Sequence, residues 1–376
     1  MSQSIVTRKT PQTENPRDAA ERAPVIVAAQ TIECQAFTVC YALKQQGVNA
    51  DLWALPGATD HPSGSHYREQ VVKNVRRELS DDDMTAGARY QHAIAILSYR
   101  PPSPGVLHKI ANLSASLTLL IPSFDERVLR RFKMTLGHLL RFRHVYRKRP
   151  RLLAYDDPRR LDSLSLLFRR DVLGVDVHHK FLVDESMREA IYAPDWDPDG
   201  PRPSRLNFLG NEQPAERSHI LQDVESSLGG MGINVAPDIK SICPWFRINS
   251  NSGHLSGQDY LDVLTRSDFT LCPPGYSSWS HRAIEAMTRG SIPILCDRTR
   301  PIYGVPLVAG ENCIAVVNGR WAEAVERALS LNAADLASMR RRLRAMLVQG
   351  ECPLSHAAIT GKIASRLTEG APVRVG

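Results

Sequence analysis

At 376 residues the chain is longer than one hydrophobic core usually fills, since single cores stop growing at about 250–300 residues, and two domains are expected. A composition of 43% hydrophobic and 23% charged residues excludes a disordered, collagen-like or membrane-embedded chain. The net charge of +7 favours an anionic partner without choosing among a phosphorylated substrate, a membrane surface and nucleic acid.

Residues 1–22 are polar, have no apolar stretch of the kind a secretory signal needs, and read as a flexible tail. An apolar run, Val25 to Ala29, leads through a polar loop at Gln30–Glu33 into a helical pattern from Ala36 to Gln46 that Gly47 closes. This is a strand, loop, helix unit. Asn49 to Leu55 reads as a second strand, Arg68 to Leu79 as a helix, and Asp81–Asp83 as carboxylates at a helix start. His92 to Leu97 and Ser116 to Ile121 read as buried strands, with a helix from Pro104 to Asn112 between them. Strands alternating with helices imply a parallel sheet covered on both faces.

Residues 127–151 interleave ten arginines and lysines with Leu129, Phe132, Leu136, Leu139, Leu140, Phe142 and Tyr146, a basic amphipathic helix. It suits a solvated face, a surface docking on anionic lipid, or a polyanion-binding face. His178–His179 has no acidic or cysteine ligand pattern around it, and reads as structural or exposed. Residues 194–203 hold four prolines, too many for either regular element, so 193–204 reads as a linker. Beyond it the alternation resumes: strand Arg205–Leu209, helix Ala215–Leu228, strand Ile233–Ala236, helix Gln258–Arg266, strand Phe269–Cys272, helix Ser278–Arg289, strands Ile292–Cys296 and Cys313–Val317, and helices Trp321–Leu331 and Leu336–Val348.

The seven cysteines (Cys34, Cys40, Cys243, Cys272, Cys296, Cys313 and Cys352) are odd in number and show no CxxC spacing. That argues against a disulfide framework or a zinc site and for a reducing compartment. The longest apolar run, Leu117–Ile121, is far too short to span a bilayer.

The densest chemical signal runs from Ser267 to Asp297. Pro273, Pro274 and Gly275 end a strand sharply, and Gly275 lets the backbone approach a ligand closely. Tyr276 follows in the same turn, and Ser277 or Ser278 can cap the next helix, whose free N–H groups and positive dipole end suit a pyrophosphate. Arg282 lies in the first turns of that helix, where its guanidinium can grip the same phosphates, and Ser280 can add a hydroxyl. Glu285, one turn on, is placed to accept from ribose hydroxyls. The competing reading is an i, i+3 pair of Arg282 with Glu285 across the helix surface.

These residues carry a family resemblance. Ser267-x-Phe269-x-Leu271-x-Pro273-x-Gly275, then Ser280-x-Arg282-x-x-Glu285-Ala286, then Gly290-x-Ile292-Pro293-Ile294, with Asp297 and Val305-Pro306, closely resemble the exostosin-type glycosyltransferases. Tyr260, Leu261 and Leu264 are similar, as is Asn207-Phe208-Leu209-Gly210-Asn211 followed by Arg217. The resemblance implies an α/β chain of the GT-B fold, two Rossmann-like αβ domains with a cleft between them. It also implies inverting transfer from a nucleotide sugar, typically a UDP-sugar, bound by the second domain. The expected division is a tail (1–22), an acceptor domain (23–192), the linker (193–204), a nucleotide-sugar domain (205–356) and a C-terminal segment (357–376). Arg282 is expected to hold the diphosphate, Glu285 the ribose, and Gly210 and Arg217 a second phosphate-facing loop and helix start.

Many retaining GT-B enzymes carry a second glutamate eight positions earlier on this loop and helix, and here that position is Ser277, which favours inversion. An inverting transfer needs a base for the acceptor hydroxyl. The loop candidates are Glu33, Asp60, His61 and Asp125, and the sequence does not rank them. Asp195-Trp196-Asp197 has the Asp-x-Asp form that holds a metal in GT-A enzymes, but it lies in the linker. No cofactor or metal is therefore expected. The expected partners are a nucleotide sugar, a glycan or lipid-linked acceptor and an anionic membrane surface through 127–151, with no nucleic acid. The expected location is cytoplasmic, peripheral at the inner face of a membrane. A retaining GT-B enzyme and a non-catalytic polyanion- or glycan-binding GT-B module are the alternatives. A nicotinamide-dependent oxidoreductase would need GxGxxG after the first strand, where Gln30-Thr31-Ile32-Glu33 stands.

Overall fold

The computed structural model describes residues 25–32, 34–60, 75–76, 90–97, 104–121, 150–154, 171–175, 195–210, 212, 215–233, 245–249, 257–274, 281–300, 302–348 and 352–370. Two parallel sheets organise them. The first has seven strands, β1 (Val25–Ile32), β2 (Ala50–Asp60), β3 (Val75–Arg76), β4 (Tyr90–Ile96), β5 (Ser114–Ile121), β6 (Arg151–Ala154) and β7 (Asp171–Val172), in the order β3-β2-β1-β4-β5-β6-β7. The second has five, β8 (Ser204–Gly210), β9 (Trp245–Asn249), β10 (Ser267–Leu271), β11 (Ile292–Cys296) and β12 (Ile314–Val316), in the order β12-β11-β10-β8-β9.

Side chains alternate across a strand, so a sheet covered on both faces sends successive residues of one strand to different cores. In β1, Val25, Val27 and Ala29 join one apolar cluster with α1 (Cys34–Gln45), while Ile26 and Ala28 join another with α2 (Pro104–Leu113). In the second sheet, Phe208, Phe269 and Ile294 pack with α3 (Ala215–Gly230), α6 (Trp321–Ser330) and α7 (Ala333–Val348). On its other face Leu209 packs with Val263 and Leu264 of α4 (Gly257–Thr265) and Ala286 of α5 (His281–Thr288).

Most elements lie where the periodicity places them, with three differences. Strand β2 continues past Leu55 to Asp60 because the register against β1 jumps between Ala29 and Thr31. That irregularity absorbs Leu55-Pro56-Gly57, and Pro56, which has no N–H to give, sits at a break in the ladder. Residues 75–76, inside the segment read as a helix, pair with β2 as a short parallel strand. Helix α5 is described from His281 to Thr288, and the residues expected to precede it, 278–280, lie outside the described residues. Strands β6, β7 and β9 and the last helix, α8 (His356–Thr368), were not legible as such. The strand expected over 234–236, the basic segment from 127 to 149 and the 178–179 histidine pair lie outside the described residues.

The proline-rich segment is packed against the fold. Trp196 is buried, its indole N–H donates to the Thr288 carbonyl at 2.8 Å, and Arg202 and Arg344 lie over its ring. Gly290, at φ +73°, passes so close that a Cβ there would meet Trp196 and Arg202. Arg202 donates to the carbonyls of Leu264, Ser267 and Arg289, and burial, with Arg340 nearby, lowers its pKa to about 9. These contacts gather at the amino ends of β8 and β10. There the buried Asp268 also takes hydrogen bonds from Arg205 at 2.6 Å and from Arg340.

Helix α8 packs on α1, with Ile359, Ile363 and Leu367 in the cluster that holds Phe37. The Tyr41 hydroxyl meets His356 Nε2 at 2.8 Å, His92 Nε2 meets the Leu367 carbonyl at 3.1 Å, and Arg151 reaches Glu369 at 2.7 Å. The end of the chain thereby becomes part of the cover of the first sheet. Among the described residues no helix is long and apolar enough to cross a membrane.

Candidate functional site

In an open parallel sheet, ligands bind beyond the carboxyl ends of the strands, where the strand order reverses direction. In the second sheet that point lies between β8, which precedes β9 on one side, and β10 on the other. The carboxyl ends there are Gly210 and Cys272–Pro274, and α5 enters beside them.

Helix α5 buries Ala283, Ile284, Ala286 and Met287, so Arg282 and Glu285 lie half-buried on its remaining face. They form no ion pair with one another: each is held by a different neighbour. Arg282 Nε donates to the Leu209 carbonyl, and the guanidinium carbon stands 4.5 Å from the centre of the Phe208 ring. Gly210, at φ +143°, is the place where this arm crosses the backbone, and a Cβ there would occupy the space of Arg282 Nη2. Arg282 Nη1 is buried and has no hydrogen-bond partner among the described residues. A buried cationic N–H group left without an acceptor is costly and fits a site that an anion completes. Glu285 Oε2 accepts from the Tyr260 hydroxyl at 2.5 Å.

Arg217, in the first turn of α3, is buried, and its Nε donates to the Pro274 carbonyl at 3.1 Å. It thus fastens the turn that follows β10 to the helix that follows β8. Cys272, fully buried at the end of β10, has its thiol pushed up to about 12 by burial, with the charges of Arg282, Glu285 and Arg217 all close enough to act on it. Gly210, Arg217, Arg282 and Glu285 are therefore brought together at the carboxyl ends of β8 and β10. Gly275, Tyr276, Ser277 and Ser280 lie outside the described residues.

Of the four base candidates, Glu33, His61 and Asp125 lie outside the described residues. The backbone of Asp60 ends β2 and pairs with Ile32, the residue before Glu33. The register thus sets Asp60 at the carboxyl edge of β1 and β2, next to the reversal between β1 and β4. The Asp195-Trp196-Asp197 sequence is engaged elsewhere. Asp195 pairs with Arg289 at 3.6 Å and Asp197 accepts from the Asp199 N–H at 2.9 Å, at the sheet end opposite Arg282.

One contact escaped the sequence reading: Tyr260 stands 25 positions from Glu285 on a different helix, and no periodicity links them.

Residues 201–315, which contain all these groups, match the family described as the RXYLT1 C-terminal domain. A comparison of the sequence with curated proteins gives no match. Among solved structures, Anabaena Alr3699/HepE in complex with UDP superposes with a TM-score of 0.55 at 11% identity, over 92% of this chain and 99% of that one. OtsA gives 0.54 at 12% identity over 93% and 100%. The α,α-trehalose 6-phosphate synthase from Burkholderia multivorans gives 0.51 at 10% over 93% and 100%. The chain therefore has the GT-B fold, and the part of it that carries the site matches the C-terminal domain of the exostosin-like RXYLT1 family.

Proposed function

We propose that the protein is a glycosyltransferase whose second sheet binds a nucleotide-diphosphate sugar, a UDP-sugar first among the donors to test. The observation that carries this reading is Arg282, clamped through Nε at the end of β8 with Nη1 buried and without a partner among the described residues. A guanidinium held this way has lost its conformational freedom before the ligand arrives, and its open N–H groups match a diphosphate oxygen. Glu285, one helical turn away, is at the right remove for the ribose. HepE, of the same fold, is recorded with UDP and with UDP-glucose.

In the transfer we infer, the acceptor oxygen attacks the anomeric carbon as the bond to the β-phosphate oxygen breaks. The acceptor proton passes to a carboxylate or imidazole at the carboxyl edge of the first sheet, from the set Glu33, Asp60, His61 and Asp125. The leaving diphosphate is stabilised by Arg282 and the amino end of α5. Ser277, at the position of the second glutamate of retaining enzymes, favours inversion. This assigns the leaving charge to the protein without a metal, so turnover is expected to persist in excess EDTA. The acceptor is a glycan, glycolipid or other hydroxyl compound, and the basic segment 127–151 suits one presented at an anionic membrane.

A panel of UDP- and GDP-sugars, scored for hydrolysis and for calorimetric binding, tests the reading. Arg282→Ala removes charge-assisted hydrogen bonds worth about 1.5–3 kcal/mol, so affinity should fall roughly 10- to 150-fold. Donor binding without turnover on any acceptor would favour a non-catalytic binding module. Binding that ignores both Arg282→Ala and Glu285→Gln would sink the assignment of the site.

A further inference from the structure

The bond between α4 and α5 carries more than packing. Glutamate has three rotatable side-chain bonds, and a carboxylate on an exposed helix face samples many rotamers, all but one of which a ligand must suppress. Here Glu285 Oε2 is held at 2.5 Å by the hydroxyl of Tyr260. Oε1 has no hydrogen-bond partner among the described residues, and neither oxygen is engaged by Arg282.

The phenol is well suited to this. Tyr260 packs its ring beside Leu209, Val263, Leu264 and Ala286, so it cannot swing away with the ligand. Burial, then the negative charge of Glu285, raise its pKa well above 10, so at working pH it keeps its proton. A carboxylate only accepts, so that proton points to Oε2 and leaves Oε1 for another donor. A mere core tyrosine would need any acceptor, and a nearby carbonyl would serve. Its use of the carboxylate one helical turn from Arg282 ties it to the ligand.

We infer that Tyr260 is a positioning residue that presents Glu285 Oε1 to the ribose hydroxyls and so gives the site its preference for a ribonucleotide over a form lacking them. This rests on the reading of Arg282 and Glu285 as the donor clamp. The phosphates, held by Arg282, do not depend on it, so the effect of losing the phenol is confined to the sugar.

The test is calorimetric titration of the full chain with UDP and GDP, each beside its 2′,3′-dideoxy form, for the native protein, Tyr260→Phe, Glu285→Gln and the double variant. The expected result is a five- to tenfold weaker ribonucleotide affinity in Tyr260→Phe, an unchanged dideoxynucleotide affinity, and no further loss when Tyr260→Phe is added to Glu285→Gln. Equal weakening of both nucleotide forms, or no weakening, would show Tyr260 to be packing alone and overturn the inference while leaving the donor clamp standing. Native protein that binds neither UDP nor GDP, or binds both regardless of Arg282→Ala, removes the clamp itself and the inference with it. Should Tyr260→Phe fail to fold, Glu285→Asp withdraws the carboxylate from an intact Tyr260. The same selective loss is expected there, and indifference to the ribose hydroxyls would again overturn the inference.

Discussion

At Gly210 the side chain that matters is a missing one. The chain there adopts φ +143° and Arg282 lies across the Cα, so alanine meets both a backbone conformation unfavourable to L-residues and a guanidinium in its way. Overpacking of this kind costs about 1–3 kcal/mol. Gly210→Ala is expected to lower the urea midpoint correspondingly and to cut nucleotide affinity more than tenfold, because Arg282 is the group displaced. An unchanged affinity would mean that Arg282 does not need its seat on β8 to act. Glycine at this position was legible from the sequence only as part of the Asn207–Asn211 resemblance. The reason for it became visible once an arginine 72 positions later was seen to fill the space. For Glu285, the spacing from Arg282 left a surface pair as the competing reading, and the geometry gives each a separate anchor.

At the scale of elements, the site is a junction of three ends, those of β8 and β10 and the start of α5, and Arg217 of α3 is the brace. Its Nε donates to the Pro274 carbonyl in buried surroundings. Replacing it with methionine keeps the bulk and leaves that acceptor without this donor, which costs about 1–3 kcal/mol. Arg217→Met is therefore expected to destabilise the ligand-free protein by this amount in a urea titration and to weaken nucleotide binding through the turn it holds. Unchanged stability with lost binding would reassign Arg217 to direct phosphate contact. The elements themselves were legible wherever a strand is an unbroken apolar run, as in β1, β10 and β11, because parallel strands buried on both faces leave no other pattern. They were illegible where the segment is two residues long, as in β3 and β7, since so few residues cannot establish a period, and in β9, where Arg247 interrupts the apolar run. At 193–204 four prolines rule out a helix or strand, but they do not keep Trp196 from being buried.

Over the whole molecule, the last helix returns to cover the first sheet, and one buried histidine reports on that closure. His92 opens the β4 ladder and is 2% exposed. Its Nε2 faces a carbonyl, which only accepts, so Nε2 carries the proton, and Nδ1 lies 2.8 Å from Ser116 Oγ, a hydroxyl that also reaches the Gln91 carbonyl at 3.1 Å. A second proton would turn Nδ1 into a donor in a desolvated place near Arg151, and burial first of all lowers the imidazole from 6.5 to about 4. The folded state therefore stays neutral where the unfolded chain already takes up a proton. Between about pH 6.5 and 4 the unfolded state binds more protons, so stability rises with pH across that window, is complete above it, and is lost on acidification. At pH 5 the loss is about 2 kcal/mol. A His92→Gln variant has no such proton to bind. The difference in urea-unfolding free energy between native protein and variant should shrink by about this amount from pH 7 to pH 5, with amide exchange in residues 356–368 accelerating in the native protein as the carbonyl contact to Leu367 is disturbed. A difference that stays constant over that range would show that the imidazole titrates alike in both states, and that the return of α8 over the first sheet does not depend on its being neutral.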